Sequence, residues 1–307
     1  MSFSSDTKSE LCREQLQKRC CAVAEAYGVL LYCNMFTADE IRIVTSSPEF
    51  KERLPRLFKK AFGCEFDAVS STDIKGKYAF YITNHESISR IFSTYGYEAR
   101  EILAHHINLG VLEESCCKAA FLRGAFLAGG SITDPSKSYH LELVTDHYNV
   151  SRETFSILLE LGFSPKDAAR GGNYVIYFKQ SESIEDFFTL IGAPVSAMEI
   201  MSAKVEKDMR NAVNRRVNCD SANADKIVLA AEEQLEAIRR IDRNIGLEEL
   251  PDKLKEAALL RIANPEASLS DLAALAIPPV SKSCISHRLR KLMELDKDSR
   301  QDCRRNL

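Results

Sequence analysis

The segment "SKSCISHRLRK", residues 281–291, carries four cations, Lys282, Arg288, Arg290 and Lys291, and no acid. On a helix, Ser283, Ser286, His287 and Arg290 fall along one stripe. Ile285, Leu289 and Leu292 follow i, i+4, i+7 on the other side. Short polar and basic side chains on one helix face suit a DNA major groove, where Lys and Arg meet phosphates and Arg reaches guanine edges. Ser268 and Ser281 stand at the starts of the last two helices of this module and complete the candidate DNA-binding set over about 268–296. A second basic group, Lys204, Lys207, Arg210, Arg215 and Arg216, suits phosphate contacts that carry no base information. The 307-residue chain has a net charge of −3, so any nucleic-acid surface is local. A solvated basic face on a protein-docking module is the competing reading of the same residues.

Other reactive types give weaker patterns. Ten cysteines show no spaced disulfide framework, and the adjacent pairs Cys20–Cys21 and Cys116–Cys117 lack CxxC spacing. They read as free thiols buried against a helix seam. His105 and His106 are neighbours, which on a helix point about 100° apart and make a poor metal pair; they read as solvated or helix-end residues. Gly171–Gly172 precedes a strand and lacks the helix of a phosphate loop. Tyr78, Tyr81, Tyr174 and Tyr177 recur on matching strands, but alternation puts 78 and 81 on opposite faces. No metal and no cofactor is expected. The polar start "MSFSSDTKSELCREQ" has no apolar signal core, and no apolar run reaches about 20 residues, so a cytoplasmic, nucleoid-associated location away from membranes is expected.

The elements that present the basic stripe are punctuated clearly. Pro251 opens a helix that ends at Asn264–Pro265. Ser268 with Asp271 forms an approximate capping box, and "IPPV" (277–280) stops the helix it starts. A third helix begins at Ser281. Helix, helix, turn, helix is a helix-turn-helix layout, with Pro-Pro in place of glycine in the turn. Upstream, Val228, Ala231, Leu235, Ile238, Ile241 and Ile245 mark an amphipathic helix, with Ser221 as N-cap and Gly246 as stop.

The first two thirds repeat themselves. "EIRIVTS" (40–46) matches "HLELVTD" (140–146) at an offset of 100; "KYAFYIT" (77–83) matches "NYVIYFK" (173–179), and "RCCAVAEAYGVLLYC" (19–33) matches "SCCKAAFLRGAFLAG" (115–129), both at 96. Three blocks in one order indicate two copies of a helix-and-strand unit packed about a pseudo-two-fold axis. Gly124, Ala125, Ala128, Gly129 and Gly130 leave one helix nearly bare, as Ala22, Ala24, Ala26 and Gly28 do in the first copy, so two backbones can approach closely.

The stretch "LRGAFLAGGSI" (122–132) resembles the LAGLIDADG homing endonucleases, whose paired helices each end in a metal-binding acid. That resemblance puts Gly129 and Cys33 at the acid positions, which implies a degenerate site, with Asp39 and Asp134 as the nearest acids in sequence. With "NRRVNCDSANADK" (214–226), "NPEASLSDLA" (264–273) and "SKSCISHRLRKL" (281–292), the whole chain resembles the bacterial WhiA family. The resemblance implies an α+β chain: a duplicated LAGLIDADG-like domain, with halves at 1–95 and 113–200 joined by a connector at 96–112, a helical linker at 201–246, and a helix-turn-helix domain at 247–307. It further implies a sequence-specific regulator of transcription that binds double-stranded DNA, is linked to cell division, the cell cycle, chromosome segregation and, in sporulating relatives, sporulation, and is not an enzyme. The LAGLIDADG-like domain is expected either to add nonspecific phosphate contacts or to bind other transcription or cell-division proteins. A residual metal-dependent endonuclease and a protein-docking adaptor are the alternatives.

Overall fold

Ile41, Ile43 and Thr45 are buried while Arg42 and Val44 are half-exposed, and Leu141 to Thr145 repeat this alternation. In a computed structural model, which describes residues 2–71, 76–97 and 104–305, each copy folds around such a strand. The first half runs α2 (Arg19–Leu31), β1 (Met35–Phe36), β2 (Ile41–Thr45), α3 (Pro48–Phe62), β3 (Ala68–Ser71), β4 (Tyr78–Ile82) and α4 (His85–Thr94), after an added α1 (Phe3–Arg13). The second runs α5 (Ser115–Gly129), β5 (Gly130–Ile132), β6 (Leu141–Thr145), α6 (Tyr148–Glu160), β7 (Lys166–Arg170), β8 (Asn173–Phe178) and α7 (Ser181–Ile191). Their antiparallel sheets have orders β1-β2-β4-β3 and β5-β6-β8-β7. Ile43 pairs with Phe80 and Leu143 with Ile176, so the two sequence offsets meet in one equivalent cross-strand pair. Of the connector expected at 96–112, residues 98–103 lie outside the described residues.

The halves meet along α2 and α5, and the approach is reciprocal. A Cβ on Gly28 would lie 2.1 Å from the Phe121 carbonyl oxygen; one on Gly124 would lie 2.0 Å from that of Glu25. Phe121 is the 96-residue equivalent of Glu25, as Gly124 is of Gly28. Beside this contact the buried Glu25 carboxylate accepts from Arg53 Nε at 2.5 Å and Nη2 at 2.8 Å, and from Arg123 Nη1 at 3.1 Å. Arg53 also donates to the carbonyls of Cys12 and Glu14, and Arg123 to that of Ile191. Gly129 and Gly130 sit beyond the seam: a Cβ on Gly129 would lie 2.5 Å from the Val144 oxygen and 3.0 Å from the Tyr32 ring.

Two expectations need correction. The break at Ser221 is absent: α8 is continuous over Pro194–Asn244, and Ser221 lies exposed within it. Nothing between 194 and 244 punctuates a helix after Pro194, whereas Gly246, with φ +88°, does end it. The chain divides into two compact units within α8, at Asp208 and Met209. His105 is buried, not solvated: its ring stacks on Phe36 at 4.9 Å, meets His147 edge-on at 4.5 Å, and its Nε2 lies 2.8 Å from the Phe36 carbonyl oxygen. His106 is exposed, with Nδ1 2.9 Å from Glu153. No helix among the described residues is long and apolar enough to cross a membrane.

Gly124→Ala must push the seam apart and is expected to cost about 3 kcal/mol, as overpacking does. Gly129→Asp forces a side chain against the Val144 oxygen and the Tyr32 ring and should cost about 1–3 kcal/mol, as overpacking does. An unchanged melting temperature in either variant would contradict the packing. Burial, then the neighbouring His147, lowers the His105 pKa from 6.5 to about 4. The unfolded chain therefore takes up a proton that the folded chain refuses. Stability present above the unfolded pKa is lost as pH falls from about 6.5 towards 4, by at most about 3 kcal/mol. Urea unfolding across that window should show the loss, and His105→Gln should flatten it.

Candidate nucleic-acid interface

The second unit builds its module from the end of α8 with α9 (Asp252–Ala263), α10 (Leu269–Leu275) and α11 (Lys282–Arg305). Its core contains Ile238, Ile241, Leu272, Ile285, Leu289 and Leu292, so the apolar stripe expected on the third helix does face inward. Both halves of the capping box form: Ser268 Oγ accepts from Asp271 N at 3.3 Å, and the Asp271 carboxylate accepts from Ser268 N at 3.1 Å. Ser281 Oγ accepts from Cys284 N at 3.2 Å and caps α11. Buried Arg261 donates to the Ala267 carbonyl at 2.7 Å and to Gln234 Oε1 at 3.0 Å, which fixes the α9–α10 loop. Arg240 grips the buried Asp296 with Nε and Nη2, both at 3.0 Å, and holds α11 to α8.

These contacts leave one face of α11 in solvent. Lys282, Ser283, Ser286, His287, Arg290 and Lys291 are all exposed. Arg290 Nη2 donates to His287 Nδ1 at 3.0 Å, and its Nε lies 3.8 Å from Glu294. Arg288 departs from the expected set. Its half-buried guanidinium donates to Glu256 Oε2 at 2.7 Å, while Glu256 Oε1 accepts from Ile277 N at 3.1 Å. Glu256 thus clamps the turn and the third helix to α9, and Arg288 serves the fold of the module. Ser268 and Ser281 likewise act as caps. Glu256 was missed because its partners are 21 and 32 residues away.

The linker cations also divide. Lys204 bonds to Glu182, and Lys207 stands 4.5 Å above the Tyr139 ring, both within the first unit. Arg210, Arg215 and Arg216 are exposed on α8 in the second unit. On the outward face of the second sheet, Glu142 pairs with Arg170 at 3.4 Å and interrupts any basic surface there.

At the two helix ends where an endonuclease needs acids, the residues do not fit a hard cation. The half-buried Cys33 thiol donates to the carbonyls of Leu30 and Met35, and burial pushes it up to about 12. Gly129 has no side chain and no room for one. Asp134 accepts from Ser136 N inside its own turn, and Asp39 is exposed in a bend. The paired cysteines, by contrast, come together: the Sγ atoms of Cys20, Cys21, Cys116 and Cys117 all lie within 4.8 Å of one another.

The family model of the WhiA C-terminal HTH domain matches residues 213–296, and that of the WhiA LAGLIDADG-like domain matches 118–210. A "Probable cell division protein WhiA" from Ruminiclostridium cellulolyticum is 38% identical over 99% of this chain and 100% of its own length. The chain belongs to the WhiA family. A second WhiA relative, from Alkaliphilus metalliredigens, is 34% identical over 96% of this chain and 97% of its own. The crystal structure of full-length DUF199/WhiA from Thermatoga maritima superposes with a TM-score of 0.60 at 25% identity, covering 97% of this chain and 99% of that one. The duplicated LAGLIDADG-like fold and the helix-turn-helix are therefore WhiA features. The HTH match starts at residue 213, well inside α8.

Three substitutions grade the forces in the WhiA C-terminal module. Leu289→Ala should cost about 2–5 kcal/mol as a core truncation. Glu256→Ala should cost about 1–3 kcal/mol through two lost bonds, one of them charged. Ser268→Ala should cost about 1 kcal/mol as a lost cap. Urea unfolding of the full chain checks the order, which a surface role for Glu256 would reverse.

Proposed function

We propose that this protein is a non-enzymatic regulator of transcription that binds double-stranded DNA through α11. The carrying observation is the exposed stripe of Ser283, Ser286, His287 and Arg290, backed by Ile285, Leu289 and Leu292 in the core and flanked by Lys282 and Lys291. Polar tips on a rigidly seated helix are what base readout requires. Arg210, Arg215 and Arg216 add phosphate contacts, which position the protein and leave sequence choice to α11. The name of its relatives supports a role in cell division. The proposal extends this to chromosome segregation and, in sporulating organisms, to sporulation, with the protein acting at the nucleoid. The LAGLIDADG-like domain serves as a scaffold or a protein-binding surface; with Cys33 and Gly129 at the acid positions it supplies no ligands for metal-assisted hydrolysis.

Titrations at several salt concentrations, on the preferred site selected from random DNA and on unrelated DNA, test this. Arg290→Ala should cost about 1–3 kcal/mol on the preferred site and relax specificity at one base position. Lys291→Ala, and the pair Arg215→Ala with Arg216→Ala, should weaken both DNAs alike, with Lys291→Ala lowering the salt slope by about one. Folded Arg290→Ala and Lys291→Ala that bind like wild type would make α11 a protein-docking helix. Nicking in Mg²⁺ or Mn²⁺ that Asp39→Asn or Asp134→Asn abolishes would restore the nuclease reading.

A further inference from the structure

Adjacent cysteines are a poor chelate when a sequence is read along one strand. The seam changes that. Cys20 and Cys21 lie in the first turn of α2, and Cys116 and Cys117 are their 96-residue equivalents in the first turn of α5. Because the two helices cross in close contact, the axis that relates them brings both pairs to one point. The four Sγ atoms lie within 4.8 Å of one another.

We propose that Cys20, Cys21, Cys116 and Cys117 bind one zinc ion as a four-thiolate structural site that staples the two repeats together. Zinc–sulfur bonds of about 2.3 Å set tetrahedral sulfurs about 3.8 Å apart, roughly 1 Å inside the 4.8 Å that bounds this cluster. Soft thiolates select zinc over magnesium or calcium, which take oxygen ligands. An iron–sulfur cluster interposes a cage between its thiolates and needs them spread wider than a single ion does. Each thiol gives its proton to solvent as it binds, and no electron is transferred.

Four thiolates on a divalent ion leave a dianion, and the protein meets it with two helix N-termini. The N-cap residues Lys18 and Glu114 make no side-chain cap, and neither first turn carries an acid. The uncapped amides and the positive ends of both helices are available to the sulfurs. Cys117 is buried and Cys20 exposed, so the site is closed on the inside and open to an entering ion outside.

The test uses the full chain purified under reducing conditions. Elemental analysis and native mass spectrometry should find one zinc per chain that survives dialysis against EDTA. Loading with cobalt alone should give the ligand-field and charge-transfer bands of a tetrahedral cobalt thiolate. The Cys20→Ser, Cys117→Ser double variant should lose both signals. If it fails to fold, the wild-type cobalt spectrum and the thiols released on stripping the metal still decide. Stripping should lower the melting temperature of the first unit and leave the second unchanged. Metal-free reduced protein, a cobalt spectrum without thiolate bands, paired disulfides, or iron with inorganic sulfide would each overturn the site.

Discussion

The contact of two glycines with two carbonyls governs the first unit. Gly28 against Phe121 and Gly124 against Glu25 bring α2 and α5 closer than any side chain would allow. At that separation both helices are buried nearly all round, which is why they carry alanine, leucine and phenylalanine without a polar face. The buried carboxylate of α2, Glu25, has to be satisfied internally. Arg53 and Arg123 do this from opposite halves, and their remaining donors tie down the end of α1 and the end of α7. Removing Arg53 would leave the buried Glu25 carboxylate with only the single bond from Arg123. The same approach positions the helix C-terminal ends, near which Cys33 and Gly129 lie, and the N-termini, where the four thiols gather.

The second unit solves a different problem. Here α11 keeps polar tips in solvent and is held from its other side. Three charged groups achieve this without using the outer stripe: Arg240 on Asp296, Arg261 on the loop carbonyls, and Glu256 on both the turn and Arg288. Each anchors α11 or its approach from the inner side, so Arg290 and Lys291 remain in solvent. Arg288, one residue from the core position Leu289, is drawn inward by Glu256.

What was legible in the sequence was local or periodic. The repeat was visible because equivalent strands keep equivalent buried positions, as Ile43 with Phe80 and Leu143 with Ile176 show. The capping box at Ser268 and the stop at Gly246 were visible because each is written within a few residues. What was hidden depends on distant partners. His105 reads as a surface residue until Phe36 and His147 close over it. Cys20 and Cys116 are 96 positions apart and become neighbours only through the seam. The length of α8 was misjudged because polar composition around 214–226 resembles a linker, while no residue there prevents helix. The duplication came from pattern and the fold class from the family resemblance; the roles of Arg288 and Glu256 depend on contacts between distant residues.

Glu25 breaks the symmetry of the seam. Its equivalent in the second copy is Phe121, so the axis that relates the backbones does not relate the charges. A symmetric dimer of two first halves would bring a second carboxylate to the seam where an aromatic ring now packs, and it would lack Arg123 to answer the first. Two second halves would have no carboxylate there for either copy of Arg123. The charge network is therefore completed only between unlike halves, Arg53 answering Glu25 from its own half and Arg123 from across the seam. The covalent join between the copies supplies those unlike halves in equal number and at high effective concentration.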